Sequence, residues 1–251
     1  WPSRGTIELN RYSMAYRVGL PYALYDVSLQ IKSKERIGVC GRTGAGKSSI
    51  FVALLRLDDY HRGSIIIDGT NIDTIGVKDL RQAISVIPQE SILFLGTVRF
   101  NIDPAQMYPD YEIWEAIRLV GLQETIDSLP GKLDYALNEE GSNLSLGQKQ
   151  LLCVARAILR RSRIVLLDEA TASVDVESDQ KLQRVLRDVF SNCTVLTIAH
   201  RIHTIADSSR ILVLEEGSAV EFDAPNKLMA NPNSIYRSLV EQSATTSASA
   251  D

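Results

Sequence analysis

The chain has 251 residues, 45% of them hydrophobic and 23% charged, and a formal net charge of −4. That size and mix suit a globular protein of one large domain or two small ones, and the acidic balance argues against a nucleic-acid partner. Cys40, Cys153 and Cys193 sit in apolar runs without metal-ligand spacing, so they are expected to be small buried hydrophobes in a reducing compartment.

No signal peptide and no apolar run long enough to span a bilayer stands out. This segment is expected to be soluble, with any membrane role coming through other chains or segments.

Residues 6–9, 14–16 and 25–31 alternate apolar and polar, which predicts strands of a half-exposed sheet. Tyr16 lies at the edge of that sheet. Its ring can pack, or it can stack on a base, since every base has a π-face.

Residues 36–40, Arg36-Ile37-Gly38-Val39-Cys40, read as a buried strand. The run Gly41-Arg42-Thr43-Gly44-Ala45-Gly46-Lys47-Ser48-Ser49 follows and fits G-x-x-x-x-G-K-S/T. Ile50, Phe51, Leu54 and Leu55 then recur at helical spacing. Strand, glycine loop and helix together predict a phosphate-binding loop. Its glycines let backbone N–H groups turn inward around an anion, and the helix adds its positive end. Lys47 can reach outer phosphates, and the Ser48 hydroxyl can ligate Mg²⁺.

Asp68-Gly69 between apolar runs marks a hairpin. A short helix over about 77–82 leads to a strand that Pro88 ends, releasing Gln89 into a loop. Residues 97–129 read as helical, with Ile113, Trp114, Ile117 and Val120 on one buried face.

Ser145 is a good N-cap for a long helix whose buried stripe is Leu151, Leu152, Ala155, Ile158 and Leu159. Arg156, Arg160 and Arg161 are expected to be solvated or paired with its dipole.

Ile164-Val165-Leu166-Leu167 ends in Asp168-Glu169, the pattern of a buried parallel strand with function at its carboxyl end. There Asp168 can hold Mg²⁺ opposite Ser48, and Glu169 can polarise a water for in-line attack. Four apolar residues leading into the two acids argue against a merely solvated strand end. His200 ends the next apolar strand beside the same edge, which favours a contact to the γ-phosphate. His61 and His203 have no such context.

The tail, 243–251, is Ser/Thr/Ala-rich and is expected to be disordered. The alternation of strands and helices around the loop predicts a parallel sheet with helices on both faces. The helical stretch at about 97–160 reads as an insertion.

The order of these motifs resembles the nucleotide-binding domain of an ABC transporter. Gly41 to Ser49 matches Walker A, Gln89 the Q-loop, residues 144–148 the signature, and 164–168 Walker B. Glu169 matches the catalytic glutamate, Asp175 the D-loop, His200 the switch histidine and Tyr16 the aromatic A-loop residue. Trp1-Pro2-Ser3-Arg4-Gly5, Asn101-Ile102-Asp103-Pro104 and residues 168–175 are similar to the second nucleotide-binding domain of subfamily C, the multidrug-resistance-protein group.

The resemblance implies an α/β P-loop NTPase fold over residues 1–242: a RecA-like parallel core, an antiparallel β subdomain and an α-helical subdomain. It implies ATP and Mg²⁺ as cofactors. Tyr16 would stack on adenine, and Gly41, Thr43, Gly44, Ala45, Gly46, Lys47, Ser48 and Ser49 would hold the phosphates. Ser48, Gln89 and Asp168 would serve the metal. Glu169 would be the general base, with His200 and Gln89 as catalytic companions. Ser145, Gly147 and Gln148 would face the ATP of a second nucleotide-binding domain paired head to tail, the first one of the same full-length transporter. The transmembrane domains and their coupling helices would be further partners, at the cytoplasmic face of a membrane.

The family signature is usually L-S-G-G-Q, and Leu146 occupies its first glycine position here. Leucine restricts close backbone approach to a phosphate, so the two sites of the pair are expected to be unequal. The main alternative is a regulatory module of a subfamily C channel or channel regulator, with little turnover. A soluble ABC protein acting on DNA or ribosomes would carry a long coiled coil or a basic insert, and neither is visible.

Overall fold

The computed structural model describes residues 1–58, 60–168, 176–199 and 201–248. Glu169, Asp175 and His200 lie outside the described residues. The chain opens with β1 (Ile7–Ala15), β2 (Leu24–Ile31), β3 (Arg36–Cys40), α1 (Lys47–Leu54), β4 (Tyr60–Ile67), β5 (Thr70–Asn71), α2 (Val77–Ala83) and β6 (Ile84–Ile87). Next come β7 (Gly96–Thr97), α3 (Val98–Ile102), α4 (Asp110–Leu119), α5 (Gln123–Asp127), β8 (Ala136–Leu137) and α6 (Leu146–Leu159). β9 (Ile164–Asp168), α7 (Val176–Val189), β10 (Thr194–Ile198), β11 (Arg210–Glu215), β12 (Ser218–Asp223), α8 (Pro225–Ala230) and α9 (Ile235–Ala248) complete it.

The chain divides into two units, one of residues 1–84, 163–169 and 192–251 and one of 85–162 and 170–191. The second unit is broader than the 97–160 insertion read from the sequence.

The first unit contains an antiparallel sheet ordered β2-β1-β4-β5. Its other sheet runs β12-β11-β3-β10-β9 through this unit, with only the β11–β12 pairing antiparallel. Ile164, Val165 and Leu166 are fully buried, as a strand covered on both faces requires. Neighbouring residues of β3 show the two coverings. Val39 joins a core shared with Ile50 and Leu54 of α1 and with Leu9, Val27 and Ile65 of the antiparallel sheet. Cys40, pointing the other way, packs with Leu228 of α8 and Tyr236 of α9. Burial pushes the Cys40 thiol up to about 12, helped by the Glu221 charge, so it behaves as a hydrophobe.

β1 is one strand where alternation predicts two. Its register shifts between Asn10 and Ser13, and Arg11 has φ 46. This bulge resets the face, so Tyr12 to Ala15 are all buried.

α9 begins under the Glu221 carboxylate, which accepts from Ser234 Oγ (3.0 Å) and from the amides of Ile235 (2.8 Å) and Tyr236 (3.1 Å). α9 continues to Ala248, so 243–248 is helical where composition predicts disorder. Extending an existing helix adds one hydrogen bond per residue ordered, and alanine is the best former.

The Asp68-Gly69 hairpin is present, with φ 48 and 78, the left-handed pair that matches strand twist. Its aspartate also holds the N-terminal segment. The carboxylate accepts the amides of Ser3 (2.8 Å), Arg4 (2.7 Å), Gly5 (3.1 Å) and Thr6 (2.7 Å), and the Thr6 hydroxyl (2.9 Å). Burial raises its pKa, but the donors from Arg4, Thr6 and Gly5 together outweigh it and hold the group well below the usual carboxylate range. Asp68→Ala is expected to cost about 1–3 kcal/mol at pH 7. A depressed folded-state pKa gives stability that is complete above the unfolded value, near pH 4, and lost as pH falls through the folded one. The gap in urea midpoint between wild type and variant should therefore shrink below about pH 4, and a gap unchanged at low pH would refute the assignment.

In the second unit the stretch read as helical holds three helices. Asp103-Pro104 follows α3, Pro109 precedes α4, and Gly121 at φ 74 separates α4 from α5. Ile113, Ala116, Ile117 and Val120 are buried as the pattern requires, but Trp114 is only half-buried. Rather than filling the core, it lines an open cavity of about 570 Å³ with Tyr111, Arg118 and Lys132.

The stripe of α6 also shifts. Leu152, Ala155 and Leu159 are buried, together with Cys153 and Val154, while Leu151 and Ile158 are half-exposed. Arg156 is not solvated. Its guanidinium donates to the carbonyls of Asn101 (2.7 Å) and Ile92 (3.3 Å) and lies 5.4 Å from the Phe94 ring centroid. Burial draws its pKa below the ordinary arginine value. Arg161 pairs with Glu112 at 2.8 Å.

Candidate functional site

The glycine loop leaves the buried end of β3 and turns hard. Gly41 has φ 146, and a side chain there would collide with the Leu214 carbonyl. Gly46 has φ 97, and a Cβ on it would come within 2.6 Å of the Ala23 carbonyl. Only glycine meets both demands, a left-handed backbone and a close neighbour. The loop rests on the β11–β12 hairpin, where Gly217 N donates to the Ala45 carbonyl at 3.1 Å. Sequence reasoning missed this backing. The Glu216-Gly217 pair marks a turn, but nothing local says which loop the turn supports.

α1 starts at Lys47 without a side-chain cap from Gly46, leaving first-turn amides suited to an anion. Lys47 is 8% exposed. Its ammonium donates to the carbonyls of Gly41 (2.9 Å) and Arg42 (3.0 Å), folding the side chain back over the loop.

A cavity of about 330 Å³ is lined by Tyr16, Ala23, Thr43, Gly44, Gly46, Lys47, Ser48 and Ser49. Tyr16, just past β1, is 47% exposed, and its hydroxyl lies 3.0 Å from Ser49 Oγ. One space thus offers an aromatic face, an ammonium, three hydroxyl-bearing side chains and a helix start. This donor set fits a nucleotide with several phosphates, and the volume is of ligand size.

Asp168 ends β9. The register pairs it with Ile198 of β10, which pairs in turn with Val39 of β3. Asp168 therefore lies on the sheet edge from which the loop springs. It is half-buried, a setting in which an acid can serve a cation.

Gln89 and the signature residues belong to the second unit. Gln89 is exposed, two residues after β6. The loop beyond it is fastened by Asn101, which is fully buried. Asn101 accepts from Phe94 N (2.8 Å) and donates to the carbonyls of Phe94 (2.9 Å) and Thr97 (3.1 Å). Ser145 caps α6 in a reciprocal box with Gln148: Ser145 N to Gln148 Oε1 is 2.9 Å, and Gln148 N to Ser145 Oγ is 3.2 Å. Leu146 is 41% exposed, and among the described residues a Cβ on Gly147 would meet nothing within 4 Å.

Residues 24–172 match the family model described as ABC transporter. The chain is 48% identical over 244 residues to multidrug resistance protein mrp-7 of Caenorhabditis elegans, covering 97% of this chain and 16% of that protein. It is 49% identical over 236 residues to ATP-binding cassette sub-family C member 3 of Homo sapiens, covering 94% and 16%. With ABC transporter C family member 3 of Dictyostelium discoideum it shares 50% over 242 residues, covering 96% and 17%. The chain thus spans about one-sixth of the length of these relatives. A bacterial Atm1-family ABC exporter with ATP bound superposes with TM-score 0.88 at 31% identity, over 97% of this chain and 43% of that one. Fold, loop geometry and these likenesses agree: the chain belongs to the ABC transporter family, as an α/β nucleotide-binding domain similar to those of the subfamily C multidrug resistance proteins.

Proposed function

We propose that the chain binds and hydrolyses ATP to power export of organic anions or their conjugates, as the second nucleotide-binding domain of a subfamily C transporter. The observation that carries this reading is the shared cavity. An exposed aromatic ring and a buried lysine line one space of about 330 Å³, a pairing suited to the base and the phosphates of one nucleotide.

In this reading Tyr16 stacks on adenine, and the amides of Thr43 to Ser49 and the Lys47 ammonium grip the phosphates. The Ser48 hydroxyl, the Asp168 carboxylate and the Gln89 amide hold Mg²⁺, which when bound neutralises developing phosphate charge. Glu169 takes a proton from the attacking water, and His200 donates to the γ-phosphate. Ser145, Gly147 and Gln148 face the nucleotide of a second domain paired head to tail, with Asp175 at the contact. Among the described residues no helix is long and apolar enough to cross a membrane, so the transmembrane partners are separate segments, with this domain at their cytoplasmic face.

Calorimetry of the chain with MgATP, together with phosphate release by the full-length transporter, tests the reading. Saturable uptake with steady turnover is expected. Uptake with no turnover in the assembled protein would favour a regulatory module, and no uptake would end the proposal.

A further inference from the structure

The Tyr16 ring is nearly half exposed and lies beyond the last residue of its strand. Its phenol is tethered by the hydrogen bond to Ser49, 3.0 Å from hydroxyl to hydroxyl. Ser49 is the third residue of α1 and only 4% exposed, and that helix is anchored by Ile50 and Leu54 in the core.

From this contact we infer that Ser49 is a positioning residue for base recognition. By holding the Tyr16 phenol it sets the plane on which the base stacks, and it ties that plane to the helix that carries Lys47. The inference rests on the nucleotide reading above. The frame of reference for the ring is then the phosphate loop itself, not the edge of β1. A ring fixed beforehand loses less freedom when the base arrives. A hydroxyl has one donor and two acceptor positions. When Tyr16 donates, the Ser49 proton stays available to a phosphate oxygen in the same cavity. Base and phosphates are thereby sensed through one side chain.

Ligands with a base should profit from this tether, and phosphates alone should not. The test is a calorimetric double-mutant cycle on the whole chain, with MgATP and magnesium tripolyphosphate as probes. Tyr16→Phe and Ser49→Ala are each expected to weaken MgATP by about three- to tenfold, the worth of one neutral hydrogen bond. The double variant should be no weaker than the weaker single one, because either change breaks the same bond. Tyr16→Phe should leave tripolyphosphate affinity unchanged, and Ser49→Thr, which keeps the hydroxyl, should retain wild-type MgATP affinity.

A Tyr16→Phe chain that binds MgATP like wild type would overturn the inference, as would losses that simply multiply in the double variant. Failure of the wild-type chain to bind MgATP would overturn the functional reading and this inference with it. Normal wild-type uptake with an unchanged Tyr16→Phe variant would overturn this inference alone.

Discussion

Lys47→Met is expected to weaken MgATP binding by about 100-fold or more, while leaving the ligand-free chain as stable as wild type. Methionine keeps most of the apolar stem and removes the charge. In the free chain the ammonium is occupied by the Gly41 and Arg42 carbonyls at 2.9 and 3.0 Å. Lys47 is almost fully buried, and burying a charge costs much of what those bonds return. Its net worth without ligand is therefore small, within about 1 kcal/mol of zero. In the proposed reading, a bound triphosphate gives the same ammonium charge-assisted bonds to anionic oxygens, roughly twice as strong as neutral ones.

The two states separate cleanly in a thermal or urea experiment. At MgATP one hundred times the wild-type Kd, wild type gains about 2.7 kcal/mol. A variant binding 100-fold more weakly gains only about 0.4 kcal/mol. The expected signature is an unchanged apo midpoint and a nearly abolished ligand shift. A Lys47→Met chain that keeps the full shift would show that the ammonium does not hold the nucleotide.

The place of Lys47 in the loop was legible because the motif is residue types at fixed spacing within nine positions, and the strand and helix on either side were equally local. A parallel sheet was legible in the same way, from apolar runs too short for helices and too continuous for half-exposed strands, but the order β11, β3, β10, β9 needed the pairings themselves. Arg156 was not legible. Its neighbours along α6 give it a solvated helix end, yet the carbonyls it serves, those of Asn101 and Ile92, lie 55 and 64 residues away. No periodicity carries such a pairing.

Trp114 failed for a related reason. A helical wheel places it beside Ile113 and Ile117, but whether that side meets core or an open cavity is decided by α5 and Lys132, which line the other wall. The bulge in β1 shows the reverse case. The break in alternation at Asn10-Arg11 was visible, and only its meaning, one bent strand instead of two, needed the pairing with β4. The Tyr16–Ser49 tether is the most consequential hidden contact, because each residue had a role on its own and nothing in the chain linked them.

The two ATP sites of an assembled pair are expected to respond unequally to damage in this chain. Glu169→Gln should lower steady-state phosphate release by about 10²- to 10⁴-fold, roughly 3–5 kcal/mol of barrier, because on the proposed mechanism it removes the base that accepts the proton of the attacking water. In sequence Glu169 follows Asp168, the last residue of β9, whose register runs through Ile198 to Val39 of the strand that feeds the glycine loop, and in the proposed reading it serves this chain's own site. On the proposed head-to-tail pairing, Ser145→Arg would act on the other site, through the signature. Among the described residues, none lies within 4 Å of where a Cβ on Gly147 would sit, so none of them demands glycine there. The open surface suits approach from outside. Leu146, 41% exposed beside it, puts a bulky side chain where the family usually leaves bare backbone, which on the proposed pairing would obstruct that approach. A site so weakened has little turnover to lose, and Ser145→Arg should reduce the total by less than about tenfold. Ser145 also caps α6, so its loss costs about 1 kcal/mol of stability, and turnover must be compared per folded molecule. Equal losses from the two substitutions would mean that Leu146 does not impair the partner's site and that both sites hydrolyse ATP alike.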